Sequence, residues 1–278
     1  MIRFSGFADE VTPDFKGQLE FLRSAGIRFI ELRFVDGTNV TQLDDEALRR
    51  ARALLDEYGI GVSAIASPVG KVALDAPFEP HFELFLHTVE LARLFGTKLI
   101  RVFSFYPPEG VDIDTCRDEV TARLKRMADA LEGSGVGMVH ENESHIYGHS
   151  AEHCADIAAT VASPHLSLAY DPANFVWGDN ITDNVERCFP VMEPYVNHIH
   201  IKDWKLGSTD IGSLPGEGDG QIEMLVERLA RIGYSGFVTL EPHMSSGGRF
   251  GGETTPEQFL AALERVKAMC DKYSLVYE

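Results

Sequence analysis

The chain has 278 residues and carries 25 Lys and Arg against 43 Asp and Glu, a formal charge of −18. Its 44% hydrophobic content suffices for a large core and excludes a disordered chain. The acidity opposes binding to nucleic acid, and no apolar run reaches the roughly 18 residues of a membrane span. Residues 1–10 lack the basic and then apolar pattern of a secretory leader. Cys116, Cys154, Cys188 and Cys270 lie far apart with no CxxC, so a reduced cytoplasmic protein without a zinc ribbon is expected.

In chain order, strands are expected at 2–8, 29–34, 61–67, 98–105, 136–143, 166–171, 196–202 and 236–242. Apolar residues at helical spacing fill most of the gaps: Phe15, Leu19 and Leu22; Phe82, Phe85, Leu86 and Val89; Val120, Leu124, Met127 and Leu131; Phe259, Leu263 and Val266. The faintest helix falls around 182–193. Gly26, Gly59, Gly96, Gly135 and Gly233 each follow a helical stretch and precede a strand, the position where a left-handed residue ends a helix. Strands alternating with helices require crossovers and therefore a parallel sheet. A single closed (β/α)8 TIM barrel over residues 1–278 fits best. A doubly wound open sheet would carry a glycine-rich phosphate loop after its first strand, where this chain has Gly6-Phe7-Ala8-Asp9-Glu10.

Barrel sites lie at the C-terminal ends of the strands, and residues i and i+2 share a strand face. Glu31 and Arg33 thus face together, as do His198, His200 and Lys202. The fourth strand ends Arg101-Val102-Phe103. Later ends read His140-Glu141-Asn142-Glu143, Tyr170-Asp171-Pro172-Ala173-Asn174 and Thr239-Leu240-Glu241-Pro242-His243. Glu141, Asp171, His200 and Glu241 would bring three carboxylates and an imidazole together, an arrangement that repels itself unless a cation is present. One divalent ion is expected there, with Mn²⁺ placed ahead of Mg²⁺, Co²⁺, Zn²⁺ and Fe²⁺. His198 is read as a packed histidine behind the ligands, and His140 as facing the helices. His149 and His153 fall on a solvated loop running into a helix face. His145 lies in the loop covering the site. Lys202 is read as a substrate contact, a structural pair with Asp203 being the alternative. Trp177 and Phe175 are open between stacking on a sugar and roofing the barrel.

HENESHIYG (140–148), DPANF (171–175), HIHIKD (198–203), PGEGDGQI (215–222) and LEPH (240–243) together resemble the xylose-isomerase-like TIM-barrel superfamily, in particular its sugar phosphate isomerase/epimerase branch. GFADEV near the start and FIELRFVDGTNV (29–40) are similar too. The resemblance implies that Glu141, Asp171, His200 and Glu241 hold one divalent metal. It also implies that Glu141 and Glu241 flank the sugar and move protons. Many epimerases of this kind carry histidine three residues after the sixth-strand aspartate, where this chain has Asn174, an amide that can bind a hydroxyl but cannot transfer a proton.

The expected activity is a metal-dependent isomerisation or epimerisation of a small sugar or keto-sugar through a metal-stabilised enediolate. Arg33, Asn174, Lys202 and Trp177 would contact substrate. With no phosphate cradle and a strongly negative chain, a neutral sugar is placed ahead of a sugar phosphate. The alternative is a lyase acting on a keto-sugar, similar to inosose dehydratase or to the catalytic subunit of C-glycoside deglycosidases. There His145 would be the acid/base and a small partner subunit would be required. Endonuclease IV-like repair and a non-catalytic sugar-binding module stand further back. Association into homo-oligomers is compatible with either enzyme.

Overall fold

A computed structural model describes residues 1–209, 211–248 and 251–278. Eight parallel strands close into a barrel: β1 (Arg3–Gly6), β2 (Phe29–Leu32), β3 (Gly61–Ala66), β4 (Leu99–Val102), β5 (Gly137–Glu141), β6 (Leu166–Tyr170), β7 (Val196–Ile201) and β8 (Phe237–Leu240). β1 closes the ring by pairing with β8 on one side and β2 on the other. All eight expected strands are present, shortened at their ends. Residues such as Phe103 and Asp171 already belong to the loops above the barrel.

The long helices are α1 (Phe15–Ser24), α2 (Asp45–Tyr58), α3 (Phe78–Phe95), α4 (Arg117–Ala130) and α5 (Ala151–Val161). Of these, α1, α2 and α5 begin where short polar side chains take up free amide groups. The Gly17 N–H donates to Asp14 at 2.7 Å, the Ala47 N–H to Asp44 at 2.8 Å and the His153 N–H to Ser150 at 3.2 Å. All five helix-ending glycines have positive φ, between 66° and 75°.

After β6 comes α6 (Pro172–Asp179), capped by Asp171, whose Oδ1 accepts from the Asn174 N–H at 3.1 Å. The helix expected around 182–193 is instead two short pieces, α7 (Asn184–Arg187) and α8 (Phe189–Met192). Their apolar side chains are too few for one continuous face, and Pro190 lacks the N–H needed to continue α7. The last helices are α9 (Ile222–Arg231) and α10 (Pro256–Lys272), the latter opened by a reciprocal Thr255–Gln258 capping box.

Many inward side chains in the middle of the barrel are polar, with small apolar residues such as Val139 and Ala169 among them. Ser5 and Ser63 share a hydrogen bond of 2.7 Å, and His198 Nε2 lies 2.7 Å from Glu31 Oε2 and 3.2 Å from Thr239 Oγ1. Outward side chains, among them Ile30, Ile65, Ile100, Met138 and Ile199, pack beneath the helices. The alternation therefore sends apolar residues to the barrel–helix layer and leaves the mouth for charge.

Asp203 is not paired with Lys202. Its Oδ1 accepts from the N–H groups of Trp204 and Gly220, both at 2.9 Å, and its Oδ2 from those of Gly216 at 2.8 Å and Gly218 at 3.0 Å. A Cβ on Gly218 would stand 2.4 Å from Asp203 Oδ1. The glycines of PGEGDG thus allow the backbone to wrap one buried carboxylate, and the segment is a structural loop.

Candidate metal centre at the barrel mouth

Glu141 ends β5, Asp171 follows β6, His200 lies in β7 and Glu241 follows β8. One donor atom from each lies within 4.8 Å of the others. All four are buried. His200 Nδ1 is 3.0 Å from Glu141 Oε1 and 3.7 Å from Glu241 Oε2. Asp171 Oδ2 and Glu241 Oε2 have no hydrogen-bond partner among the described residues. Among the described residues, Lys202 Nζ lies 2.9 Å from Asp171 Oδ2 and 3.6 Å from Glu241 Oε2, and His200 Nδ1 lies beside Glu241. Two buried carboxylate oxygens that share one lysine ammonium, together with an imidazole nitrogen converging on the same point, form a donor set that fits a divalent cation.

The electrostatics express the same need for positive charge. Burial pushes the Asp171 carboxyl up to about 6 despite Lys202 beside it. For Glu141 burial acts upward too, but His200 and Arg101 outweigh it and bring the group down to about 2. Glu241 is likewise held well below the ordinary carboxylate range, because Lys202, His243 and Arg33 overcome its burial. Burial would lower His200, yet Glu141 and Glu31 raise it well above an ordinary imidazole. The ring proton supplies the positive charge that the carboxylates demand.

Behind these four residues, Glu31 accepts from both imidazoles of β7, His198 at 2.7 Å and His200 Nε2 at 3.2 Å. With Nε2 committed to Glu31, Nδ1 is the ring nitrogen turned towards the three carboxylates. Glu241 Oε1 lies 2.9 Å from Arg33 Nη1 and 3.3 Å from His243 Nε2. Arg33 also binds Asp9 at 2.8 Å, and His243 Nε2 lies 3.0 Å from Glu10. Burial would lower His243, but Glu10 and Glu241 raise it to about 9.

A cavity of about 350 Å³ opens above these residues. Arg33, Asn174, Lys202, Trp177 and His145, all expected from the sequence, line it. Asn174 Nδ2 donates to Asn142 O at 2.8 Å and to Glu141 Oε1 at 3.4 Å, so this amide steadies a ligand. His145 has φ of +65° and meets Trp177 edge-on, the ring centroids 6.2 Å apart. Trp177 is 42% exposed at the rim, whereas Phe175 is fully buried against Tyr170 and belongs to the core.

His149 and His153 are only half-buried but are more engaged than a solvated loop would allow. His149 pairs with Asp179 at 3.0 Å, and His153 stacks on Tyr147 and pairs with Asp114 at 3.1 Å. His140 does face away from the cavity; a Cβ on Gly148 would come within 2.2 Å of its ring, which explains the glycine closing HENESHIYG.

Glu10, Glu31, Lys71, Arg101 and His243 were not singled out as site residues by the sequence reading, yet they surround or support the centre. Arg101 and His243 stand at strand ends, and that position was a usable signal. Lys71, paired with Glu143 at 3.0 Å, comes from the loop after β3 and carries no local mark.

An eight-stranded parallel barrel with acids and an imidazole gathered at its C-terminal mouth is the architecture of a metal-type (β/α)8 site. The sequence pattern of the xylose isomerase-like TIM barrel family matches residues 19–272, and the chain belongs to that family. No curated protein matches the sequence. Among solved structures, a D-tagatose 3-epimerase-like protein superposes with a TM-score of 0.77 at 17% identity, covering 98% of each chain. The IolI protein with a bound zinc atom gives 0.77 at 18% identity, covering 99% of this chain and 100% of that one. The 3-keto-D-glucoside 4-epimerase YcjR of E. coli gives 0.70 at 16% identity, covering 96% and 100%. At these identities the likeness is one of fold. None of the described helices is long and apolar enough to cross a membrane.

Proposed function

We propose that the protein is a divalent-metal-dependent isomerase or epimerase of a small sugar or keto-sugar, acting by proton transfer between neighbouring or opposite positions. The observation that carries this reading is the convergence of Glu141, Asp171, His200 and Glu241, with Asp171 Oδ2 and Glu241 Oε2 facing only cations and making no hydrogen bond among the described residues, beneath a cavity of sugar size. Names among the similar structures support it, since two of those proteins are an epimerase and an epimerase-like protein.

Glu141, Asp171, His200 and Glu241 would hold the ion. When bound, such an ion polarises a substrate carbonyl and an adjacent hydroxyl as a Lewis acid. Mn²⁺ is the ion we place first, because three carboxylate donors and one imidazole suit a hard to borderline cation. Glu141 and Glu241 are ionised at neutral pH and can take up a proton. One removes the proton from the carbon next to the carbonyl, and the other returns one to the neighbouring carbon or opposite face. Arg33 and His243 hold Glu241 by one oxygen and leave the other turned inward. Lys202 lies beside Asp171 and Glu241, where it offsets negative charge developing on the substrate oxygen. Asn174 positions Glu141, and Trp177 offers a ring face at the rim. We place the reaction in the cytoplasm, consistent with four free, buried cysteines.

The test is solvent-deuterium incorporation across a panel of ketoses and 3-keto glycosides, with the metal content of the protein measured in parallel. Deuterium should appear at a carbon next to a carbonyl, vanish after chelation and return with Mn²⁺. No incorporation into any panel member by the metal-loaded protein overturns the reading. His145 favours the lyase as the second reading: it is an exposed imidazole lining the cavity, placed to protonate a leaving group. Release of an aglycone or of water instead of an isomer selects that alternative.

Glu31→Gln tests the support behind the centre. A glutamine carbonyl cannot replace both carboxylate oxygens that accept from His198 and His200. Divalent-ion affinity, measured by competition with a chromogenic chelator, should fall about 10- to 100-fold while the circular dichroism stays that of the parent. Unchanged affinity would remove Glu31 from this role.

A further inference from the structure

We propose that the cavity recognises an anionic substituent on its sugar, a carboxylate or a phosphate, through Arg101. The inference rests on the sugar-isomerase reading and narrows its substrate class. Arg101 lies in β4 with its side chain at the cavity wall, and the residue is only 6% exposed. None of its side-chain N–H groups makes a hydrogen bond among the described residues, and its Nε is sealed from solvent without a partner. One charged contact remains, Nη1 to Glu141 Oε2 at 3.3 Å. The guanidinium lies 5.3 Å from the ring centroid of Phe7 and 5.0 Å from that of Phe103. Attraction to the ring faces accounts for a cation being held there, but rings cannot satisfy a fork of five donors.

The neighbouring cations show what satisfaction looks like in this cavity. Arg33 uses Nε on Asp9, Nη1 on Glu241 and, at 3.8 Å, Nη2 on Glu10. Lys202 has Asp171 and Glu241. Among the described residues Arg101 has Glu141 alone, and in the proposed enzyme that carboxylate also serves the ion, which draws its charge away. Lys71 adds positive charge on the same side, its Nζ 4.3 Å from the Phe103 ring centroid, although Glu143 offsets it. Nε is sealed away, so a ligand in the cavity would meet the terminal Nη1 and Nη2 groups, whose planar pair matches two oxygens of a carboxylate or phosphate. A neutral hydroxyl could meet one donor but could not balance the charge. The net charge of −18 favoured a neutral sugar, but that figure sums the whole surface, whereas the cavity wall sets Arg33, Lys71, Arg101 and Lys202 against Glu141, Glu143 and Glu241 and is not itself strongly acidic.

The experiment measures binding calorimetrically to Mn²⁺-supplemented protein for matched pairs: glucuronate with glucose, galacturonate with galactose, and glucose 6-phosphate with glucose. At least one acidic sugar should bind ~10-fold or more tightly than its neutral partner, a difference of about 1.4 kcal/mol. R101Q should erase that preference with metal content unchanged. If R101Q does not fold, R101K, which keeps the charge and loses the fork, should weaken the acidic sugar several-fold and its neutral partner not at all. A phosphate preference with the same dependence on Arg101 supports the subsite and identifies the anion. Equal binding within every pair, no detectable binding of any acidic sugar, a preference that survives R101Q, or equal weakening of both partners by R101K overturns it. The two readings fail separately. An Arg101-dependent preference in a protein that exchanges no proton overturns only the isomerase reading, and Mn²⁺-dependent exchange without any anion preference overturns only the subsite.

Discussion

Glu141→Gln and Glu241→Gln are each expected to lower proton exchange by about 10³-fold, within the range for loss of a positioned acid or base. The amide keeps the shape of the side chain but cannot accept a proton near neutral pH, and it weakens the hold on an ion. Both variants should stay folded, and the cations facing Glu241 keep other partners. Arg33 retains Asp9 at 2.8 Å, and Lys202 retains Asp171 at 2.9 Å. Arg101, which faces only Glu141, loses its one charged contact in Glu141→Gln, so that variant should be the less stable of the two. The measurement is the initial rate of deuterium incorporation at saturating Mn²⁺, beside a thermal melt. A rate like that of the parent in either variant takes that glutamate out of the chemistry. Loss of rate caused only by loss of metal would instead be reversed by raising Mn²⁺.

The four residues of the centre were legible because two local rules suffice to find them: strand ends in a barrel face one way, and alternation selects the inward side chains. Gly26, Gly59, Gly96, Gly135 and Gly233 marked where strands begin, and that fixed the barrel. Partnerships across the barrel were not legible. Glu31 reaches His198 and His200 from 167 and 169 residues away, and Glu10 reaches the His243 N–H from 233 residues away. Such pairs depend on shear and closure, which no window of sequence contains. Lys202 was legible by the same alternation, which sets it on the His200 face and makes a pair with Asp203 the lesser reading. Adjacent residues of opposite charge invite pairing, but in an extended chain they point to opposite faces, one into the cavity and one into the loop beneath.

That loop carries the second large expected effect. Asp203→Ala should destabilise the protein by about 3–5 kcal/mol, lowering its melting temperature by roughly 10 °C. Four backbone N–H groups, those of Trp204, Gly216, Gly218 and Gly220, converge on this buried carboxylate at 2.8–3.0 Å. Alanine removes all four acceptor contacts at once and leaves a space too enclosed for the loop to collapse into freely. Asp203→Asn should cost less than half as much, because one oxygen still accepts from its pair of donors while the new NH₂ opposes the other pair. Gly218→Ala attacks the same contact from the other side, since its Cβ would stand 2.4 Å from Asp203 Oδ1. Trp204 and Thr209, which follow Asp203, line the cavity, so loosening this loop should also weaken sugar binding while leaving the affinity for the ion nearly unchanged. Thermal melts of the three variants, paired with chelator titrations, separate these effects. A melting temperature for Asp203→Ala within 2 °C of the parent would mean that about 1 kcal/mol or less depends on this carboxylate and that the glycine loop is held by other contacts.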